Sequence, residues 1–443
     1  MRPYNPPAYT NSAVIYQVNL RAFTNEGTLS AAAKLLPHIK SIGADIAYLC
    51  PNFVHDDDET RDGWSARQKA SGLNNPKNPY RMKDYFHTDS EYGSDDDLRA
   101  FIDAAHKLGL RVMLDLVYFH CGPTAVFLEG HPDFIVRNED GTPALGEWCF
   151  PKLNYNNPAL CEYMWSNMEY YVREFDVDGY RCDVGDAVPL AFWEEGRRRI
   201  DAIKPDLLML NEGTRKDFIG VFDLNYDFGF SGAMVKVLRD GQPASTLAEY
   251  REKFQSERLG EGMSILCFEN HDIASDAYDN RLEKALGSDA VDIMLLLMYT
   301  LKGVPMLYNG NEVCDSRRHS IWGNRFHGAN LTIDWQNALT ERGQARMDYL
   351  RKLADIHKTI PAVRDGSMKF LVSDGASVIA YERETDGQRV ICAANMSGGA
   401  VACAIDAAVT EGVPLLSRGA AWSLDGELRL SLEPYGFAVL EVK

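Results

Sequence analysis

The sequence predicts an α/β fold: a (β/α)8 TIM barrel with a short insert after its third strand and a C-terminal antiparallel β-sandwich domain. Two observations predict the barrel and a third the appended domain. Eight short runs rich in β-formers recur, at Val14–Asn19, Asp45–Leu49, Arg111–Val117, Gly179–Asp183, Leu207–Asn211, Val221–Leu224, Ser264–Glu269 and Val304–Tyr308. Each is followed by a helical pattern, the crossover that parallel strands require, and eight such units favour closure over an open doubly wound sheet. After Ala362 the pattern changes to short alternating strands between Gly, Asp and Asn turns, at Lys369–Val372, Ser377–Glu382, Val390–Asn395, Ala400–Ile405, Glu427–Ser431 and Phe437–Val442. The predicted organisation is a barrel over 1–120 and 158–364, an insert over 121–157 and a β domain over 365–443.

The helices carry their own signals. Ser94 caps a helix whose first turn holds Asp95, Asp96 and Asp97, and Leu98, Phe101, Ile102, Ala105 and Leu108 make its apolar stripe before Gly109 ends it. Asn157-Pro158 opens a second helix, with Leu160, Met164, Met168, Tyr171, Val172 and Phe175 on its buried side. Pro37 predicts a kink or late start in the helix near Ala31–Ile42. The connections Pro51–Gly93 and Cys121–Asn157 far exceed the roughly two to six residues usual for βα loops. Both follow strand ends, the face on which barrels build their chemistry. They are rich in rings that a sugar face could stack on or that simply pack the loops: Trp64, Tyr80, Tyr85, Phe86, Phe134, Trp148 and Phe150.

Composition excludes several functions. With 64 Asp and Glu against 46 Lys and Arg, the 443-residue chain has a formal charge of −18, the wrong sign for displacing counterions from nucleic acid. The first residues, Met1-Arg-Pro-Tyr, lead into no apolar run, so no secretory signal is expected. The greasiest stretch, around Ile293 to Leu301, is far short of the ~20 residues that span a bilayer, so no membrane association is expected. Nine scattered cysteines without a C-x-x-C pair favour a reducing, cytoplasmic compartment. The N-x-S/T triplets at Asn330 and Asn395 are then read as accidental.

Ionisable residues stand at the ends of apolar strands, where burial is costly without a role or a partner. They are Asp115 and His120 at the third strand, Arg181 and Asp183 at the fourth, Glu212 at the fifth, and Glu269, His271 and Asp272 at the seventh. Two chemistries could use them: carboxylates around a divalent metal, or a carboxylate nucleophile with a protonated carboxyl as acid at a glycosidic bond. Arg181 favours the second. It lies two residues before Asp183, on the same side of the strand, where a fixed cation opposes metal binding and is expected to keep Asp183 ionised. Asp115 is expected to buttress the mouth, and Glu269 either to line it or to pair with a basic neighbour.

Here the motifs become specific. Asp115-Leu-Val-Tyr-Phe-His120, Gly179-Tyr-Arg181-Cys-Asp183, Asn211-Glu212-Gly213 and Phe268-Glu-Asn-His271-Asp272 resemble, in order, the four short motifs of the α-amylase superfamily, glycoside hydrolase family 13. Further matches at Lys83-Asp-Tyr85-Phe, Pro151-Lys-Leu-Asn154, Tyr308-Asn-Gly310 and Ile333-Asp-Trp335 extend the resemblance over nearly the whole chain. By position, it implies that Asp183 is the nucleophile, Glu212 the acid and then base, and Asp272 the holder of ring hydroxyls at the transition state. Arg181 would orient Asp183, His120 and His271 would hydrogen-bond the sugar, and Tyr85 would stack beneath its ring. The implied activity is a retaining α-glycoside hydrolase that cleaves α-linked gluco-oligosaccharides through a covalent glycosyl-enzyme. The two carboxyls should then lie about 5–5.5 Å apart.

Departures from the family pattern narrow this. Phe119 stands where relatives usually place an Asn that ligates a structural Ca²⁺, and an aromatic ring offers no oxygen, so neither that ion nor another cofactor is expected. Val184-Gly185-Asp186 replaces a Lys-His pair of many endo-acting members, which favours short α-glucans over starch. A transglycosylase on the same substrates shares the covalent intermediate, and an inactive amylase-like binding protein is a further alternative. Linkage, chain length, endo or exo action and oligomeric state are not legible in these motifs.

Overall fold

In the computed structural model of the protein, which describes residues 4–276, 281–327, 331–424 and 427–443, eight parallel strands close into a barrel. They are β1 (Ile15–Val18), β2 (Ile46–Leu49), β3 (Arg111–Leu116), β4 (Gly179–Cys182), β5 (Leu208–Asn211), β6 (Leu224–Asn225), β7 (Met263–Leu266) and β8 (Val304–Tyr308). Each pairs with its neighbours in chain order, and β8 returns to β1 with Met306 beside Ile15. Every expected run overlaps a strand, the sixth only at Leu224. The sixth shrinks because Val221 and Phe222 sit in a turn closed by the Gly220 N–H to the Phe222 carbonyl at 3.2 Å.

Strand alternation sorts the side chains. Ile15, Ile46, Met113, Leu208, Leu210, Ile265 and Met306 fill the barrel, whereas Tyr16, Ala47, Val112, Leu114 and Met209 belong to the core under the helices. One step further along the strands, the inward positions turn polar: Gln17 follows Ile15, Asp115 follows Met113 and Arg181 follows Gly179. The barrel is thus greasy below and charged at its C-terminal mouth.

The helices follow the local signals. Ser94 and Asp97 form a reciprocal capping box on Asp95–Lys107. Asn157 accepts the Ala159 N–H at the start of Pro158–Phe175. The Pro37 region is two short helices, Leu29–Ala33 and Leu36–Ser41, with Pro37 in the first turn of the second, where its missing N–H costs nothing. In the first long connection, Phe53–His55 and Met82–Thr88 pair antiparallel, a ladder that no local alternation announced. The insert is held by isolated bridges such as His120 with Lys152 and Ile135 with Leu153.

The C-terminal domain consists of β9 (Ser367–Leu371), β10 (Val378–Thr385), β11 (Gln388–Asn395), β12 (Val401–Ile405), β13 (Gly412–Leu424) and β14 (Leu428–Val442), all antiparallel. The two last expected strands are one, β14, and β13 went unpredicted. Half-exposed along its length and interrupted by Pro414 and Gly419, β13 alternates inward apolar residues only over Ala420, Trp422 and Leu424, and it is fixed by pairing with β14. Ile379, Tyr381, Cys392 and Val439 face the barrel, while Val378, Ala380, Ile391 and Leu440 enclose a separate core. The domain docks on helix Ser288–Thr300, buried from Ala290 onward.

No described helix is long and apolar enough to cross a membrane. All nine cysteines are free thiols. Asn330 and the first residues of the chain lie outside the described residues. Asn395 is buried, its amide nitrogen donating to the Gly399 and Glu433 carbonyls.

Candidate active site

At the mouth, the β3–β4 register places Asp115 beside Arg181. The Arg181 guanidinium is fully buried and makes three ion pairs, with Asp115 at 2.7 Å, Asp183 at 2.8 Å and Glu212 at 2.7 Å. Glu212 follows β5, and its second oxygen accepts the Val184 N–H at 2.9 Å. That N–H is aimed by a backbone kink: Val184 has φ 45°, the left-handed region that β-branched residues avoid. Strain at this residue therefore serves the placement of Glu212. Asp272 lies in the first turn of the helix His271–Asp276 after β7 and pairs with Arg67, from the loop after β2, at 2.8 Å.

A hydrogen-bonded chain fixes the two histidines. Gln17 donates to His271 Nδ1 at 2.7 Å, so the ring proton sits on Nε2, 2.6 Å from the Tyr80 hydroxyl. That hydroxyl donates to Asp115 at 3.1 Å, and Tyr48 donates to the same oxygen at 2.6 Å. His120 Nε2 donates to the Tyr80 carbonyl at 2.8 Å, leaving Nδ1 without a partner among the described residues. Asp183, Glu212, Asp272, His120 and His271 all line one pocket that encloses about 470 Å³ of space open to solvent. Tyr80, Trp148 and Phe150 line it too.

The stacking role read for Tyr85 is corrected. Its ring is buried between Tyr118 and Phe127, and its hydroxyl donates to the His120 carbonyl at 2.9 Å. Tyr85 belongs to the strand Met82–Thr88, and its face of that strand turns to helix Pro158–Phe175, whose Asn167 and Tyr171 bond its carbonyl. Tyr80, just before that strand, presents its ring to the pocket, stacked on His271 at 5.3 Å and 16°. The turn Asn74-Asn75-Pro76-Lys77-Asn78-Pro79 directly precedes Tyr80, but nothing in its residues distinguishes the Tyr80 ring from that of Tyr85 as the one entering the mouth. Glu269 is paired: it binds buried Arg281 at 3.0 Å and does not line the pocket. Arg67 and Trp322 do line it, and no motif pointed to either.

Burial dominates the protonation of the acids. It raises the Asp183 carboxyl well above the usual carboxylate range, outweighing the pull of Arg181, and Glu212 and Asp115 add repulsion. Arg181 works in the expected direction, pulling Asp183 toward its ionised form against that burial. Glu212 is raised by burial as well, again against Arg181. Two carboxyls on one guanidinium titrate as a pair, able to share a single proton. For Asp272, burial pushes upward but His271, Arg67 and Arg181 overcome it and hold the carboxyl at about 2. Burial lowers His120 to about 4, so it is neutral.

The junction of the two long loops does not suit Ca²⁺. Phe119 packs edge-on against Trp148, and the nearby Asp56 carboxylate is taken by Arg81 at 3.1 Å and by the Thr124 N–H and hydroxyl at 2.7 and 2.8 Å. A guanidinium occupies the carboxylate where calcium would need six to eight oxygens. Among the described residues no cluster of His, Cys, Asp or Glu is arranged to hold a metal ion.

Converging carboxyls at the mouth of a (β/α)8 barrel, two of them sharing one arginine, define a class of enzymes that act on glycosidic bonds. The family description "Alpha amylase, catalytic domain" matches residues 10–133 and 146–352, and "Maltogenic Amylase, C-terminal domain" matches 368–439. The chain belongs to the α-amylase family of glycoside hydrolases. It is 26% identical to a cyclomaltodextrinase from a Bacillus species, over 88% of this chain and 74% of that protein. A maltogenic α-amylase from Bacillus acidopullulyticus is 25% identical over 73% of this chain and 58% of its own. Among solved structures, a maltogenic α-amylase from Thermotoga neapolitana shares the fold with a TM-score of 0.82 and 22% identity, over 97% of this chain and 98% of that one.

Proposed function

We propose that the protein hydrolyses α-linked gluco-oligosaccharides with retention of configuration, through a covalent glycosyl-enzyme. The observation that carries this is the single buried guanidinium of Arg181 holding Asp183 and Glu212 at 2.8 and 2.7 Å. Ionised Asp183 attacks the anomeric carbon as the glycosidic C–O bond breaks, and the Glu212 carboxyl gives its proton to the leaving oxygen. Glu212, now a base, takes a proton from water, which attacks the same carbon and releases Asp183. Asp272, anionic throughout, holds ring hydroxyls, and His120 and His271 orient the sugar. The negative mouth stabilises the positive charge that develops on the anomeric carbon. Relatives named cyclomaltodextrinase and maltogenic α-amylase support α-linked glucose as the substrate.

The protein, incubated with maltotriose, pullulan, isomaltose, trehalose and sucrose, should cleave maltotriose and release the α-anomer first, as followed by NMR. A β-anomer first would refute the double displacement. Asp183→Asn should abolish the activity. The Arg81–Asp56 junction supports a fold without calcium, so EDTA should leave the rate unchanged. Free cysteines support residence in the reducing cytoplasm.

A further inference from the structure

We propose that Arg67 is a specificity-determining residue: paired with Asp272 and set against Trp322, it closes the pocket on the side away from the leaving group, so that the enzyme removes single glucosyl units from the non-reducing ends of chains. This rests on the hydrolase reading above and adds the direction of attack. In a ring of eight strands, the end of β5 lies across the mouth from β1. Glu212 follows β5 and protonates the leaving oxygen, so the departing part of the chain extends over that rim. Arg67 rises from the loop after β2 and Trp322 from the loop after β8, the two loops flanking β1 on the opposite rim.

Those loops form a built wall. The Asn75 side chain donates to the Trp322 carbonyl at 2.9 Å, and Arg318 donates to the Ser71 carbonyl at 3.4 Å. Arg21 donates to the Lys77 carbonyl at 3.1 Å and to the Ile321 carbonyl, and its own guanidinium is locked by Glu91 at 2.7 and 2.8 Å. On this frame the Arg67 guanidinium lies 2.8 Å from Asp272 and 5.7 Å from the centroid of the Trp322 ring. A sugar bound through its hydroxyls to Asp272 meets Arg67 and Trp322 where a preceding unit would have to pass.

The test compares maltoheptaose with maltoheptaose carrying a 4,6-O-ethylidene block at its non-reducing end, with 4-nitrophenyl α-glucoside as a third substrate. The wild type should release glucose first from the free chain and cleave the blocked chain about 100-fold more slowly. Arg67→Ala should raise the blocked-to-free ratio of kcat/KM about tenfold, and Arg67→Lys should restore discrimination. Both rates come from one sample, so a loss of folded protein cancels from the ratio. Equal cleavage of both chains by the wild type, or an Arg67→Ala ratio equal to the wild-type ratio, overturns the proposal and leaves hydrolysis standing. If all three substrates stay intact, the hydrolase reading falls and the proposal with it.

Discussion

Glu212 is held by a backbone N–H and by the Arg181 guanidinium, yet burial still raises its affinity for a proton. That is the state a general acid needs, and it has a stability consequence. Its folded-state pKa lies above the unfolded value of about 4.3. Its stabilising contribution is therefore complete below that value and is lost as pH rises through the folded pKa. Glu212→Gln should lower kcat about 10²–10⁴-fold on maltotriose and much less on α-glucosyl fluoride, whose leaving group needs no proton. The same variant should melt at a higher temperature than the wild type at pH 7 and at a similar one near pH 4. With Asp183 raised too, kcat/KM should be bell-shaped, rising with pH as the Asp183–Glu212 pair loses its first proton and falling as it loses its second, both limbs lying above the ordinary carboxylate range of about pH 4.

The element that converts strand geometry into catalytic geometry is the turn after β4. Val184 takes a left-handed conformation there, and Gly185 passes so close to β5 that an added Cβ would lie 2.2 Å from the Asn211 side-chain oxygen. Asn211 in turn donates to Asp186 at 2.9 Å and directly precedes Glu212. Gly185→Ala should displace Asn211 and with it the acid. The expected costs are about 1–3 kcal/mol in urea unfolding and about 100-fold in kcat, with far-UV circular dichroism unchanged. A kcat within about threefold of the wild type, a difference of about 0.7 kcal/mol in barrier height, would show that the strand end absorbs the extra methyl.

Over the whole molecule, the barrel and the β domain are joined through charge as well as apolar surface. Asp292, buried in helix Ser288–Thr300, binds Arg346 at 2.6 Å, Arg342 at 2.8 Å and, from β13, Arg418 at 2.5 Å. Burial pushes its carboxyl upward, but the three guanidinium groups prevail and lower it. Its contribution is thus complete at neutral pH and is lost as pH falls through the lowered value. Asp292→Ala leaves three cations around an empty place and should cost about 3–5 kcal/mol of unfolding free energy. Urea denaturation followed by fluorescence checks this. Unchanged stability would mean that the apolar contact alone holds the domains.

Much of this was legible in the chain itself. Eight apolar runs with polar ends, the Ser94 and Asn157 caps and the spacing of Arg181 and Asp183 are local properties, set by backbone period and by what a strand end can bury. They determined the barrel, its mouth and the acids gathered there. Only the tertiary structure decided which tyrosine faces the pocket, because Tyr80 and Tyr85 differ in the surface each meets and not in local sequence. The same holds for β13, which borrows its order from β14, and for Arg67 and Trp322, brought together by loops that lie about 250 residues apart in sequence. Burial of Asp183 and Glu212 around one arginine likewise sets their proton affinity, a property of shared surroundings that no stretch of sequence contains.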